Sequence, residues 1–387
     1  MNNNKRSEVI SALIYLASCE LCGLTAELPD GLDPQEIFSA AVYHGIDALC
    51  ASALSKAGLA DGEMTAHLHY SIRKIMLLDA ERKAISAELS REKIWHIPLK
   101  GVILKELYPG IGLRQMSDND ILFNEDGRDT VRRIFEDRGY TVSSFGGRTD
   151  DVYTKEPLYN YEMHVALFSE LESKKFRDYF RSAYEKSLSA DGSVYLRRMT
   201  DEDFYLYMKA HEHKHYCHGG TGLRSLIDTY VFLSAHGSSL NYGYLDEELA
   251  KLGISDYERE SRELAMKILS PSGAAALLSG EISLSEGEAK MLSYLFSSGT
   301  YGTLENRVQN EMNKQNGPPS RLRYILSRLF PPLEWYRANA PFCYKHRILI
   351  PFYIVKRIFL KVVLAPGKAI KELSKVKKAK GNERNEQ

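Results

Sequence analysis

The stretch MSDNDILF, residues 116–123, places Asp118 and Asp120 two positions apart in an alternating run. On a β-strand, residues two apart share a face, so the two carboxylates stand side by side. Neighbouring carboxylates repel, and one ordinarily takes up a proton unless a cation lies between them. Mg2+ (or Mn2+) accepts one or two protein carboxylates together with phosphate oxygens and water, which two aspartates can supply. In NYEMHVAL, Glu162 and His164 share one face of another predicted strand. A third carboxylate on an adjacent strand is what two-metal phosphoryl or nucleotidyl transfer requires: it completes a second cation site and accepts the proton of an attacking hydroxyl. Upstream, Lys100-Gly101 marks a strand giving way to a helix. Glycine there lets backbone approach a ligand, and the free N–H groups of the helix offer an anion site. A lone Asp-x-Asp is a frequent chance pattern at strand-end turns; these surroundings set this one apart.

A second candidate is HEHKHYCHGG, residues 211–220, whose first five residues satisfy His-Glu-x-x-His. Zinc proteolysis needs a third ligand. The extended His-x-x-Gly-x-x-His form fails at His218 and Thr221, and IDTYVFLSAHGSSL offers no glutamate. A structural zinc on His211, His215, Cys217 and His218 lacks a Cys-x-x-Cys partner pair. The reading favoured over both is a polar helix face on the substrate side of a cleft, since His211 and His215 lie one turn apart. After the Gly-rich turn, Thr221 is a candidate N-cap and Arg224 a candidate phosphate contact, with Asp228 one turn on as its expected ion-pair partner.

The elements that position these residues are legible in outline. Residues 1–92 read as an N-terminal helical region, with Asp33-Pro34 as a helix entry and 64–93 as one long helix without proline or glycine. Residues 93–200 read as a small α/β core: a strand at WHIPLKG, a helix stopped by Pro109, the Asp-x-Asp strand, a helix ended by Gly139, a strand at YTVSSF and a hairpin from DVYTKEP to YNYEMHVALF. Residues 201–340 return to helix, with linkers at NGPPS and FPP, and 341–387 form an amphipathic basic helix and tail. The fold class is α+β, a mixed sheet flanked by helices.

The chain has 387 residues, 44% hydrophobic and 26% charged, an ordinary balance for a folded protein. Five cysteines form no disulfide framework and fit a reducing compartment; Cys19-x-x-Cys22 lies in an apolar helical stretch and reads as core. No signal-peptide core and no apolar run of membrane-spanning length is present, so a cytoplasmic protein is expected. Lysine plus arginine equals aspartate plus glutamate at 51 each, yet residues 345–387 hold twelve basic against three acidic residues, leaving 39 against 48 before them. Such asymmetry points to a tail that meets an anionic surface, with peripheral association through 345–380 at the inner face of a membrane. Tyr353, Arg357 and Lys361, joined by Lys356, form a stripe on this helix; the alternative is a helix that covers the protein's own core.

The stretch IPLKGVILKELYPGIGLRQMSDNDILF, with RRIFEDRGY and YEMHVAL after it, resembles the uncharacterised nucleotidyltransferase family of bacterial surface-polysaccharide gene clusters, a branch of the DNA polymerase beta-like superfamily. The resemblance rests on Lys100-Gly101, Arg114, Asp118, Asp120, Gly139-Tyr140, Glu162 and His164, and continues through YMKAHEHKHYCHGGTGLRSLIDTYVFL. Asn119 departs from the family's small aliphatic residue, and Val165 from its aromatic. The resemblance implies a minimal nucleotidyltransferase sheet and an enzyme using an NTP and Mg2+ in polysaccharide biosynthesis. Asp118 and Asp120 would hold two ions; Glu162 would share one and help deprotonate an unidentified acceptor. Gly101, Lys100 and Arg114 would bind the triphosphate, with His164 and Arg224 also in the nucleotide site. No specific nucleic-acid binding is expected. The alternative is a catalytically silent, membrane-peripheral scaffold of the same fold.

Overall fold

The computed structural model describes residues 3–169, 172–300, 302–313, 321–364 and 374. Four helices open the chain: α1 (Asn3–Cys22), α2 (Pro34–His44), α3 (Asp47–Lys56) and α4 (Gly62–Arg91). Their limits follow from local chemistry. The Asp33 carboxylate accepts from Gln35 N–H at the start of α2, Gly45 ends it in the left-handed region, and Asp61 caps α4 through Met64 N–H.

The α/β core follows as β1 (His96–Pro98), α5 (Gly101–Leu104), β2 (Asn119–Phe123), α6 (Arg128–Asp137), β3 (Thr141–Ser144), β4 (Asp150–Lys155) and β5 (Tyr159–His164). Next come α7 (Lys174–Phe180), α8 (Ala183–Lys186), β6 (Leu188–Ala190) and β7 (Ser193–Arg198), a stretch with no strong periodic signal in the sequence. The described strands form one seven-stranded mixed sheet in the order β3-β4-β5-β2-β1-β7-β6. The α+β class expected from the sequence is what the chain adopts.

Helices cover both faces, so β2 is buried at all five positions. On one face Ile121, Phe123, Tyr161 and Met163 pack with Ile85 and Leu89 of α4 and Phe135 of α6. The other face carries Leu122 towards α9 (Asp201–His218) and α10 (Arg224–His236). Strand alternation therefore sends Asp120, Glu162 and His164 to the α9 side, because Ile121, Tyr161 and Met163 take the opposite one.

Beyond α10 lie α11 (Tyr242–Leu252), α12 (Ser255–Leu269), α13 (Pro271–Ser279) and α14 (Glu286–Ser298). Leu13 and Leu16 of α1 and Phe38 of α2 share one core with Leu226 of α10, Leu264 of α12 and Leu292 of α14. Helices from both ends of the sequence thus clasp the sheet. The C-terminal helices are α15 (Leu304–Asn313), α16 (Arg321–Leu329), α17 (Leu333–Asn339), α18 (Pro341–Lys345) and α19 (Ile350–Leu364). The NGPPS linker and most of the lysine-rich tail lie outside the described residues. No helix among those described is long and apolar enough to cross a membrane.

Asn119, the departure noted in the sequence, is fully buried on the α4 side of β2, and neither side-chain polar atom has a partner. An unsatisfied buried amide costs roughly 1–3 kcal/mol. Asn119→Leu, close to it in shape, is therefore expected to raise the unfolding free energy by about 1 kcal/mol or more in urea denaturation. An unchanged or lowered midpoint would refute this.

Candidate active site

β2 and β5 run parallel, with Asp120 opposite Glu162 and Leu122 opposite His164. Neighbouring strands lie about 4.8 Å apart, so this register alone brings the acids together. Ligand atoms of Asp120, Glu162 and His164 all fall within 4.8 Å of one another; among the described residues this is the only such group of three. Asp118 is one residue before β2 and outside that group, but it lines the same cleft. The cleft has a volume of about 490 Å³ and lies between the sheet face and α9.

Asp120 is buried and held on both oxygens. His164 Nε2 lies 2.8 Å from Oδ1, and Lys100 Nζ lies 3.2 Å from Oδ2. These partners overcome the burial that would raise its pKa and hold the carboxyl far below the usual range. Lys100 is correspondingly raised: Tyr207, Asp120 and Asp118 outweigh its own burial. Its backbone has φ 44°, an uncommon conformation for a residue with a Cβ, at the turn that aims the ammonium at Asp120.

Glu162 is pushed up to about 7, first by burial and then by Asp120 and Asp118. Burial and the two neighbouring aspartates thus disfavour a third charged carboxylate at this point of the cleft. A carboxyl whose folded pKa exceeds its ordinary value of 4.5 keeps a proton that the unfolded chain releases. Its stabilising contribution is complete below about pH 4.5 and is lost as pH rises through about 7. Glu162→Gln should therefore melt higher than wild type at pH 8 in chelator, with the difference shrinking as pH falls and vanishing below about pH 4.5. A lower melting point at pH 8 would contradict this account.

Arg114 is less available than the sequence implied. Its Nε and Nη2 donate to both oxygens of Asp228 at 2.8 Å, and the Tyr108 hydroxyl donates to Oδ1 at 2.8 Å. Asp228 was expected to pair with Arg224 one turn away; the fork of Arg114 takes it because both of its N–H vectors meet the two oxygens. The third guanidinium nitrogen lies over Gly101, where a Cβ would come within 2.4 Å of Nη1. Gly101 is thus required for the passage of Arg114. The amides expected to cradle an anion are already used: Val102 N–H donates to Leu99 O, and Ile103 and Leu104 N–H donate to Lys100 O. The helix they open is only four residues long, so its end provides no free row of donors.

Arg224 opens α10 and lines the cleft. Its Nη1 reaches the Gln115 carbonyl at 3.5 Å, and no carboxylate among the described residues lies within ion-pair distance. Burial and the nearby Arg114 lower its pKa. Thr221 does not cap this helix; Leu223 occupies the N-cap, and its N–H lies 3.5 Å from His44 Nδ1. Lys74 of α4, which gave no sequence signal, faces Asp118 from an adjoining 240 Å³ pocket that also reaches Arg224.

The histidines occupy the opposite wall. His211 and His215 touch through Nε2 atoms at 3.1 Å and line the cleft. Glu212 also borders the cleft but is held by Lys209 at 3.0 Å. Cys217 contacts His213, and His218 bonds to the Lys214 carbonyl, so neither joins a zinc set with His211 and His215. Tyr207, one turn before His211, faces the same cleft; its spacing on α9 was the available clue.

The family model described as uncharacterised nucleotidyltransferase matches residues 30–270. This chain belongs to that family. The match covers the sheet, the α9 and α10 side of the cleft and helices α2 through α12, so the acids described above sit inside the matched region. No curated protein and no solved structure matches the chain.

Proposed function

We propose that this nucleotidyltransferase uses a divalent cation, Mg2+ or Mn2+, to move a nucleoside monophosphate from an NTP to an acceptor hydroxyl or phosphate, with pyrophosphate leaving. The observation that carries the reading is the register of β2 against β5, which sets Asp120 beside Glu162 in a cleft large enough for a nucleotide.

The donor set fits a hard cation. Two carboxylates converge, one of them driven to keep its proton by burial and by the charge of the other, and Asp120 is already engaged by the Lys100 ammonium and the His164 imidazole. Asp120 and Glu162 would hold the ion, with Asp118 at the open side; His164 orients Asp120 through its hydrogen bond. The bound cation supplies charge neutralisation at the phosphates. Lys100 and Arg224 face the phosphate oxygens from two sides of the cleft. Glu162 accepts the proton of the acceptor as its oxygen bonds to the α-phosphorus and the bridging bond to the β-phosphate breaks. Arg114, bound to Asp228, fixes the approach to β2.

The acceptor is left at its chemical class. The polysaccharide role implied by the resemblance and a peripheral position at an anionic membrane belong to this proposal. Titration calorimetry of NTPs with and without Mg2+ tests it first. Cation-dependent binding is expected, and its absence with every NTP would favour the scaffold reading. A screen of NTPs against cell extract, with mass-spectrometric detection of nucleotidylated products, then identifies the acceptor.

A further inference from the structure

The most exposed apolar surface among the described residues lies outside the cleft lining, on α19 and the 3-10 turn before it, Arg347–Leu349. Ile348 is 81% exposed, Phe352 72%, Val355 67% and Phe359 63%. Positions 352, 355 and 359 recur at i, i+3 and i+7, and 348 lies one turn earlier, so the four form a single stripe. This face is not the one the helix uses to dock. Ile350, Tyr353 and Ile354 pack against Trp335, Tyr336, Ala340 and Cys343.

The cationic stripe expected from the sequence is divided by this packing. Arg357 turns inward over the Trp335 ring at 4.1 Å, and Tyr353 joins the small core. Lys356, Lys345 and Arg347 remain exposed beside the apolar stripe. Residues 341–364 contain no Asp or Glu, and residues 365–387 add seven Lys/Arg against three Glu.

We infer that Ile348, Phe352, Val355 and Phe359 insert into the interfacial layer of an anionic phospholipid membrane, with α19 lying in its plane. The 15 described residues of α19 are too few to cross the roughly 30 Å hydrocarbon core, but their free apolar stripe with flanking lysines is the pattern of an interfacial helix. Charge selects this occupant. A second copy would bring Lys345, Arg347 and Lys356 against their like-charged equivalents or neighbours, and the chain's own lysine-rich end would add charge of the same sign. Anionic headgroups neutralise both. The inference names the attachment surface within the peripheral position proposed above and is independent of nucleotidyl transfer.

Vesicle co-sedimentation of the full chain tests it, with phosphatidylcholine alone and phosphatidylcholine mixed with phosphatidylserine. Wild type is expected to bind the anionic vesicles preferentially and to weaken as salt is raised. Phe352→Ser combined with Phe359→Ser should bind them at least about tenfold more weakly, because two aromatic insertions are lost. That variant should keep the wild-type thermal midpoint and cation-dependent NTP binding, since both side chains are exposed and neither lines the cleft. Wild type failing to bind anionic vesicles, or a double variant that binds undiminished, would overturn the inference. So would a wild-type dimer that the double substitution converts to monomer. Absent NTP binding alongside normal vesicle binding would instead remove the nucleotidyl-transfer reading alone.

Discussion

Asp120→Asn is expected to reduce NTP-dependent labelling of the acceptor by about 10³-fold or more, with the fold retained. The substitution preserves shape, removes the charge and replaces one acceptor oxygen with an N–H donor. Asp120 is 5% exposed, shares its register position with Glu162, and is the carboxylate that Lys100 and His164 both engage. A cation site stripped of one of two converging carboxylates loses several kcal/mol of stabilisation at the reacting phosphate, which corresponds to roughly three orders of magnitude in rate. A control separates this from misfolding: the circular dichroism spectrum should match wild type, while Mg2+-dependent NTP affinity falls. Labelling within a few fold of wild type would remove Asp120 from the chemistry.

The largest expected effect on stability comes from Asp228→Ala. Asp228 is 6% exposed and Arg114 8%, and three hydrogen bonds converge on the carboxylate from Arg114 and Tyr108. Removing the acid leaves a buried guanidinium without counter-charge, which costs about 3–5 kcal/mol. The loss should appear as a lower urea midpoint. Because the pair ties α10 to the segment entering β2, transfer activity should fall as well. Replacing both partners, Arg114→Leu with Asp228→Leu, removes the stranded charge and should be less destabilising than Asp228→Ala alone. If the single substitution costs under about 1 kcal/mol, the pair is not the brace described here.

The sequence revealed the parts of the site that depend on strand periodicity. Asp118 and Asp120, then Glu162 and His164, are local patterns, and alternation correctly assigns Asp120, Glu162 and His164 to faces. That β2 lies directly beside β5, in parallel, is a matter of sheet topology: β3 and β4 intervene in sequence but are placed outside β5. The Arg114–Asp228 pair spans 114 positions and competes with a local Arg224–Asp228 spacing that looks equally good on a helix. Long-range fit decided it, because Arg114 approaches with a fork that meets both oxygens. Gly101 was legible as a point of close approach to its backbone, although the group that approaches is the Arg114 side chain and not a ligand. The helix α10 starts at Arg224 instead of Thr221, since the glycines at 219, 220 and 222 prolong the turn. Strands β6 and β7 escaped detection because their side chains are mostly half-exposed and carry weak alternation.

The central claim is a cation held between Asp120 and Glu162. Crystals grown with Mn2+ and a non-hydrolysable NTP analogue, with anomalous diffraction collected at the manganese edge, test it most directly. The account predicts a peak within coordinating distance of Asp120 and Glu162, next to the phosphates, that disappears in Asp120→Asn. A peak at His211 and His215 instead, or bound nucleotide with no manganese beside these acids, would contradict it.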